Sequence, residues 1–316
     1  RVVDRDVATA PQSTYPEGAA GNTRSFFPDL TLPSVPRNIR LFPGVENPIV
    51  SAADISDVQG EFAADPFLFK EKGQWYLFYE VMNAETQLGE IGFSTSPNGR
   101  DWTYKGIILV EDYHLSYPYV FRYEGKYYMM PESYQANAVK LYQSKRFPYE
   151  WTEVSTLLTG DRFVDASVFV HDDKFWMFVS TFRAYCAYLF YSDDLFSGWQ
   201  EHPRSPFVTE DRGQSRPAGR VLKLKNGSII RTCQKCDVRY GQQVRAFEVT
   251  KLSAVEYEEY ELSQSPFFRD SEDADSCQRM HHFDAIVDND RWYIVTDRKG
   301  KKLPWVIELY TADTHI

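Results

Sequence analysis

The chain has 316 residues, 43% hydrophobic and 25% charged, a balance that excludes a mainly disordered polypeptide and suffices for one large or two small domains. Its 45 acidic residues outnumber 35 basic ones for a net charge of -10, and no Lys/Arg cluster interrupts that background, so a nucleic-acid partner is not expected. No apolar run approaches the roughly 18 residues of a membrane span.

Aromatic residues are in excess, with 7 Trp, 21 Tyr and 22 Phe, which favours packed β-sheet and sugar-stacking surfaces. Taken in chain order, residues 1–40 carry five prolines and no hydrophobic period, and read as an extended arm lying on the rest. The first residue is Arg, as expected of a trimmed or processed piece. Residues around Pro48-Ile49-Val50 are expected to supply a last strand that closes the fold, and residues 41–316 to form one domain.

From residue 65 a unit repeats five times. Each begins with a short strand: Asp65-Pro66-Phe67, Tyr117-Pro118-Tyr119, Asp165-Ala166-Ser167, Arg216-Pro217-Ala218 and His282-Phe283-Asp284. Each continues into a second apolar run, opening at Gln74, Lys126, Lys174, Ser228 and Arg291, whose second residues are spaced by 52, 48, 54 and 63. Turn pairs separate the runs: Glu124-Gly125, Asp172-Asp173, Asn226-Gly227 and Asn289-Asp290. A third strand follows in every unit, and Trp102, Trp151 and Trp199 close the first three. A single unit of this kind cannot bury both faces, whereas a closed ring can. The pattern therefore predicts an all-β, five-bladed β-propeller. A β-sandwich would not require so constant a step.

In a propeller, first-strand starts and second-strand ends converge on one rim. The first set is Asp65, Tyr117, Asp165, Arg216 and His282; the second is Glu80, Glu132, Ser180, Gln234 and Asp297. Glycosyl chemistry needs two carboxyl groups in different protonation states. Asp65 is the candidate base, Glu132 the candidate acid and Asp165 the orienting carboxylate. His114, Tyr117, Arg183, Arg216, Arg231, Gln234, His281, His282 and Asp284 are the candidate substrate-binding residues, the arginines for an anionic group. Cys233-x-x-Cys236 with Cys277 and His281 makes a formal zinc set, but with one knuckle instead of two it predicts no metal. Residues 256–275 hold eight carboxylates and read as an acidic insertion, either solvated or a partner surface.

Two stretches, Asp65-Pro66 and Val164-Asp165-Ala166-Ser167-Val168-Phe169, resemble strand starts of the five-bladed clan of glycoside hydrolase families 43, 32 and 62. That resemblance implies a base at Asp65 and a pKa-tuning, orienting carboxylate at Asp165. The clan's general acid is a Glu opening blade four. Here that place reads Ser215-Arg216-Pro217, a departure that weighs against ordinary hydrolysis. A closer resemblance, over about residues 60–310, is to the N-terminal propeller domain of the plant glucosamine inositolphosphorylceramide transferase family and related bacterial and algal proteins. It rests on Asp65–Phe69, Trp75–Glu80, His114–Phe121, Met130–Ser133, Arg216–Arg220 and Tyr240-Gly241. It implies a glycan, glycolipid or sugar partner and the secretory pathway or Golgi lumen. If the chemistry is transfer, a nucleotide sugar would be the donor; otherwise no cofactor is required. In that family a separate nucleotide-sugar domain follows the propeller, and nothing in this chain resembles it. The readings are therefore a carbohydrate-active enzyme or a glycan-binding module that accompanies a glycosyltransferase.

Overall fold

The computed structural model describes residues 26–27, 31–269, 279–301 and 304–313. Five sheets, antiparallel through the strands of each blade, form a five-bladed β-propeller. Blade one is built from Gly60–Glu71, Gln74–Asn83, Leu88–Ser96 and Thr103–Leu109. Blade two runs Ser116–Tyr123, Lys126–Glu132, Ala138–Arg146 and Tyr149–Thr159, and blade three Phe163–His171, Lys174–Thr181, Ala187–Ser192 and Gln200–Glu201. Leu222–Leu224, Ile229–Lys235, Gln243–Leu252 and Tyr257–Glu261 form blade four; Asp284–Asp288, Arg291–Lys299 and Trp305–Asp313 begin blade five. Among the described residues, no helix is long and apolar enough to cross a membrane.

The five repeats correspond to the five blades. Their first hairpins turn on residues with positive φ, such as Glu124 (49°) with Gly125 (77°) and Asn289 (48°) with Asp290 (57°). Such turns match the right-handed twist of the strands they join. Packing explains closure. Each of the five buried clusters straddles a junction between neighbouring blades: Phe78 and Phe93 meet Val120 and Met129 between blades one and two, and Leu77 and Tyr79 meet Val295 and Leu309 between five and one. Equivalent clusters fill the other three junctions. Among the described residues, every one of the five junctions is therefore filled by a buried cluster.

Two expectations are corrected. Blade five is completed by Arg37–Leu41, paired antiparallel with Trp305–Asp313, instead of by residues 48–50. Val50 contributes one antiparallel bridge to Ile307, on the same outer edge. The closing strand straddles the boundary expected between arm and propeller. Further upstream, Phe26–Phe27 pairs with blade two and Thr31–Leu32 runs parallel to Leu222–Leu224. The remaining arm residues, 1–25 and 28–30, lie outside the described residues.

The acidic stretch is not an insertion over its first part. Tyr257–Glu261 is the outer strand of blade four, and its carboxylates are paired: Glu258 with Lys251, Glu259 with Arg231 and Glu261 with Arg245. Residues 270–275 lie outside the described residues. Blade four also starts later than its repeat suggests. Pro217 has no N–H to give the sheet, and Gly219 sits at φ +129° with its carbonyl taken by the Tyr117 hydroxyl, so regular pairing resumes only at Leu222. Cys186, Cys233 and Cys236 are free and buried; Cys277 lies outside the described residues.

Candidate functional site

Register places first-strand starts beside second-strand ends: Ala64 faces Glu80, Ser116 faces Glu132 and Val164 faces Ser180. In all three blades the ladder is interrupted at the next residues, and the extra residue adopts positive φ: Asp65 (52°), Tyr117 (47°) and Asp165 (53°). Non-glycine residues rarely occupy this region, and a bulge there re-aims a side chain. The repeat thus delivers one off-ladder residue in each of blades one, two and three, at an energetic cost the surrounding strands sustain.

Two groups of side chains meet at this mouth. In the first, Arg216 holds Asp165 through Nε to Oδ2 and through Nη2 to Oδ1 at 3.3 Å, and also donates from Nη2 to Glu132 Oε2 at 3.1 Å. Gln234 adds an amide N–H to Asp165 Oδ2 at 3.0 Å. Asp165 is fully buried. Burial, then the adjoining Asp165 carboxylate, pushes Glu132 well above the usual carboxylate range. Burial and the neighbouring carboxylate thus favour the protonated form of Glu132, while the Arg216 guanidinium acts in the opposite direction.

The second group centres on Asp65. Its backbone N–H donates to Asp297 Oδ2 at 3.0 Å, and Asp297 Oδ1 lies 2.7 Å from His281 Nδ1. The other ring nitrogen, Nε2, lies 3.6 Å from Asp65 Oδ1. Burial alone would lower His281, but the Asp297 carboxylate outweighs it and the pKa is raised. Asp297 is correspondingly lowered: burial, which would raise it, yields to His281. Asp65 itself is pushed up to about 7, chiefly by burial, with His281 acting in the opposite direction. Asp65, His281 and Asp297 each offer one ligand atom, all within 4.8 Å. Asp297 is hydrogen-bonded to the His281 ring and to the Asp65 backbone N–H, while the Asp65 carboxylate faces the other ring nitrogen at 3.6 Å. Neither Cys233 nor Cys236 joins this group.

Glu80 flanks Asp65 and is raised well above its usual range by burial and then by the Asp65 charge. His114 Nε2 lies 3.4 Å from Glu80 Oε1, while His114 Nδ1 accepts the Gly89 N–H at 2.9 Å. The ring proton is therefore on Nε2, facing Glu80. Burial, followed by Arg216, lowers His114 to about 4, so the ring stays neutral.

Other expected residues fall elsewhere. Tyr117 is walled in, its hydroxyl bonded to Ser167 Oγ and to both the N–H and the carbonyl of Gly219, so it fixes the channel wall. His282, by contrast, stays beside the second group, its Nδ1 3.8 Å from Asp65 Oδ1; it packs edge-on against Phe67 and Tyr117 with neither ring nitrogen hydrogen-bonded, and burial lowers it to about 3. Asp284 is fully buried, where Arg220 bonds it together with the carbonyls of Val120 and Leu68, so this pair ties blades one, two, four and five together. Arg231 does not reach the mouth: it is buried between blades three and four in a two-pronged pair with Glu259, among Phe178, Phe207 and Phe247. Arg183 stands on the rim, in a cavity of about 200 Å³ that also touches Arg216.

Glu80 and Asp297, present in the strand-end pattern but given no role, are part of the mouth. Tyr240 and Trp305 were not singled out as site residues. The Tyr240 ring lies 4.8 Å from that of His281 and 5.5 Å from the Arg216 guanidinium, joining the two groups, and Trp305 tilts over His281 at 4.4 Å. Tyr240 is 37% exposed, so it offers a sugar-sized aromatic face beside the carboxyl groups.

Solved structures with this architecture include the catalytic domain of a GH62 α-L-arabinofuranosidase from Coprinopsis cinerea (TM-score 0.62, 15% identity, 84% of this chain and 95% of that one). A β-1,2-mannobiose phosphorylase from Listeria innocua is also similar (TM-score 0.64, 12% identity, 88% of this chain and 97% of that one). At these identities the likeness is one of fold. Curated relatives are closer in sequence. Glucosamine inositolphosphorylceramide transferase 1 of Oryza sativa subsp. japonica is 32% identical over 271 residues, covering 82% of this chain, and that of Arabidopsis thaliana is 32% identical over 268. The chain spans only 36% and 35% of their respective lengths. The family model described as glucosamine inositolphosphorylceramide transferase 1, N-terminal, matches residues 37–299, from the ring-closing strand into blade five, and the chain belongs to that family.

Proposed function

We propose that the chain acts on a glycosyl bond of a glycan or glycolipid at the channel mouth. The observation that carries this reading is the convergence of Asp65, Glu132 and Asp165 on one rim around Arg216 and His281, with Tyr240 as an aromatic face between them. Both sets of similar proteins carry carbohydrate-related names, a glucosamine inositolphosphorylceramide transferase on one side and an arabinofuranosidase and a phosphorylase on the other, which supports this reading.

In this reading Glu132 gives its proton to the leaving oxygen, and Asp65 takes one from the attacking hydroxyl or water. Asp165, fixed by Arg216 and Gln234, orients the acid. If the reaction is transfer, a nucleotide sugar is the donor. The base must be ionised and the acid protonated. Rate therefore rises with pH through about 7, where Asp65 loses its proton, and falls where Glu132 loses its own.

The test is turnover on a panel of glycosides, oligosaccharides, and nucleotide sugars offered with glycolipid acceptors, followed by mass spectrometry. Asp65→Asn and Glu132→Gln should each lower kcat/KM by about 100-fold or more. Full activity in both variants would refute the assignment. One observation favours a second reading, a glycan-binding module without chemistry: Arg216 stands at the start of blade four and is already committed to Asp165 and Glu132. Saturable glycan binding with no product from any donor would select it.

A further inference from the structure

Among the described residues, Arg40, Arg122, Arg146, Arg216, Arg220, Arg231, Arg245 and Arg298 have a carboxylate partner. Arg183 and Arg212 are two of those without one, and they share a cavity. They line the rim cavity between blades three and four, and among the described residues neither makes an ion pair. Each guanidinium lies against an aromatic ring that lines the same cavity: Arg183 on Phe182 at 5.1 Å, and Arg212 on Tyr185 at 4.6 Å. Stacking of this kind holds the planar fork in place while leaving its N–H edges free to bond.

A second, independent feature points the same way. Thr181 lines the cavity and is only 3% exposed, yet its hydroxyl has no hydrogen-bond partner. A buried hydroxyl without a partner is costly, and a ligand oxygen would satisfy it. The third guanidinium, Arg216, connects the cavity to the mouth. At about 200 Å³ the space is smaller than the roughly 300–1,000 Å³ of pockets that enclose a drug-sized ligand, so it suits a compact group attached to something larger.

We propose that this cavity is a phosphoryl subsite, in which Arg183, Arg212 and the Thr181 hydroxyl receive the oxygens of a phosphate beside the glycosyl site. Two unpaired guanidinium groups match the charge and the many acceptor atoms of a phosphate better than those of a neutral sugar. The proposal deepens the reading of the mouth, on which it rests only for the identity of the neighbouring sugar. The same chemistry is offered by a soluble phosphate and by a phospholipid headgroup.

The experiment is a binding titration of the whole chain with inorganic phosphate, myo-inositol 1-phosphate and myo-inositol. A parallel arm uses phosphatidylcholine vesicles with and without phosphatidylinositol. The expected result is saturable binding that requires the phosphate. Arg183→Ala with Arg212→Ala should weaken it at least about ten-fold, the loss expected on deleting hydrogen bonds to a charged group. Both positions are exposed, so folding is not at stake. Thr181→Val should weaken it as well, without lowering the melting temperature. Capture by the soluble compounds alone assigns a free phosphate source; capture only by phosphatidylinositol vesicles assigns a headgroup. Absence of phosphate-dependent binding in every arm, or unchanged affinity in the double variant, overturns the proposal. The readout is phosphate binding alone, so absence of turnover at the mouth would not affect it.

Discussion

Replacing Arg216 by Met tests whether the mouth is built on a buried charge pair. The substitution keeps most of the side-chain length and removes the guanidinium that bonds both oxygens of Asp165 and one of Glu132. Asp165 has no access to water, and without the guanidinium no cationic group would remain bonded to it among the described residues, only the Gln234 amide and the neighbouring Glu132 carboxyl. Breaking a buried pair by deleting one partner costs about 3–5 kcal/mol, because the other charge is left uncompensated. At roughly 2 °C per kcal/mol for a chain of this size, the melting temperature should fall by about 6–10 °C.

The loss should also depend on pH. Burial and the adjoining Asp165 carboxylate raise Glu132 while Arg216 lowers it, so removing the guanidinium raises Glu132 further. A carboxyl group with a raised folded pKa costs nothing while both states are protonated, below about pH 4, and costs progressively more as pH rises toward the folded value. Urea denaturation at pH 5 and pH 8, followed by tryptophan fluorescence, should therefore show a wider gap between wild type and variant at pH 8. Adding Asp165→Asn to Arg216→Met should recover much of the loss, since it removes the stranded charge. A loss under about 1 kcal/mol, the size of a surface ion pair, or an equal loss at both pH values would refute the argument.

Two further outcomes follow from the geometry. The Asp297–His281 pair stabilises the fold above the ordinary carboxylate pKa and loses that contribution as pH rises through the raised His281 value; Asp297→Asn should drop His281 below its ordinary pKa, read by histidine NMR, and an unchanged titration would contradict the pairing. Gly219 has φ +129°, and a Cβ there would lie 1.8 Å from the Phe283 carbonyl oxygen, so Gly219→Ala should cost about 2–6 kcal/mol by thermal melting, with a wild-type melting temperature as the contrary result.

Hairpins were legible because they are written locally. Asn289-Asp290 or Glu124-Gly125 between two aromatic runs fixes both the turn and the register of the strands beside it. The rim followed from the same logic, since Asp65, Glu132, Asp165 and Arg216 are strand starts and strand ends. What failed was non-local. Arg37–Leu41 is polar and largely exposed along its length, so no alternation marks it as a strand; it is one because blade five offers a free edge. Arg231 sits in the same kind of strand as Glu132, but its face is decided by Glu259 on the outer strand, a pairing no motif announces. Tyr240 reaches the mouth from the turn between Ile229–Lys235 and Gln243–Leu252, and Trp305 from the first residue of a third strand, positions to which the repeat spacing gave no direction.

Blade five is assembled from opposite portions of the polypeptide. Asn47 and Val50, together with Arg37–Leu41, are stitched to Ile307, Leu309 and Tyr310. During synthesis the early segment has no docking edge until the last strands emerge, so the circle latches late, at high contact order. The rim groups supplied by blade five, His281 and Asp297, then take their places against Asp65 in that same terminal step. Acquisition of an intact mouth can thus serve as a clock for completion of the whole domain.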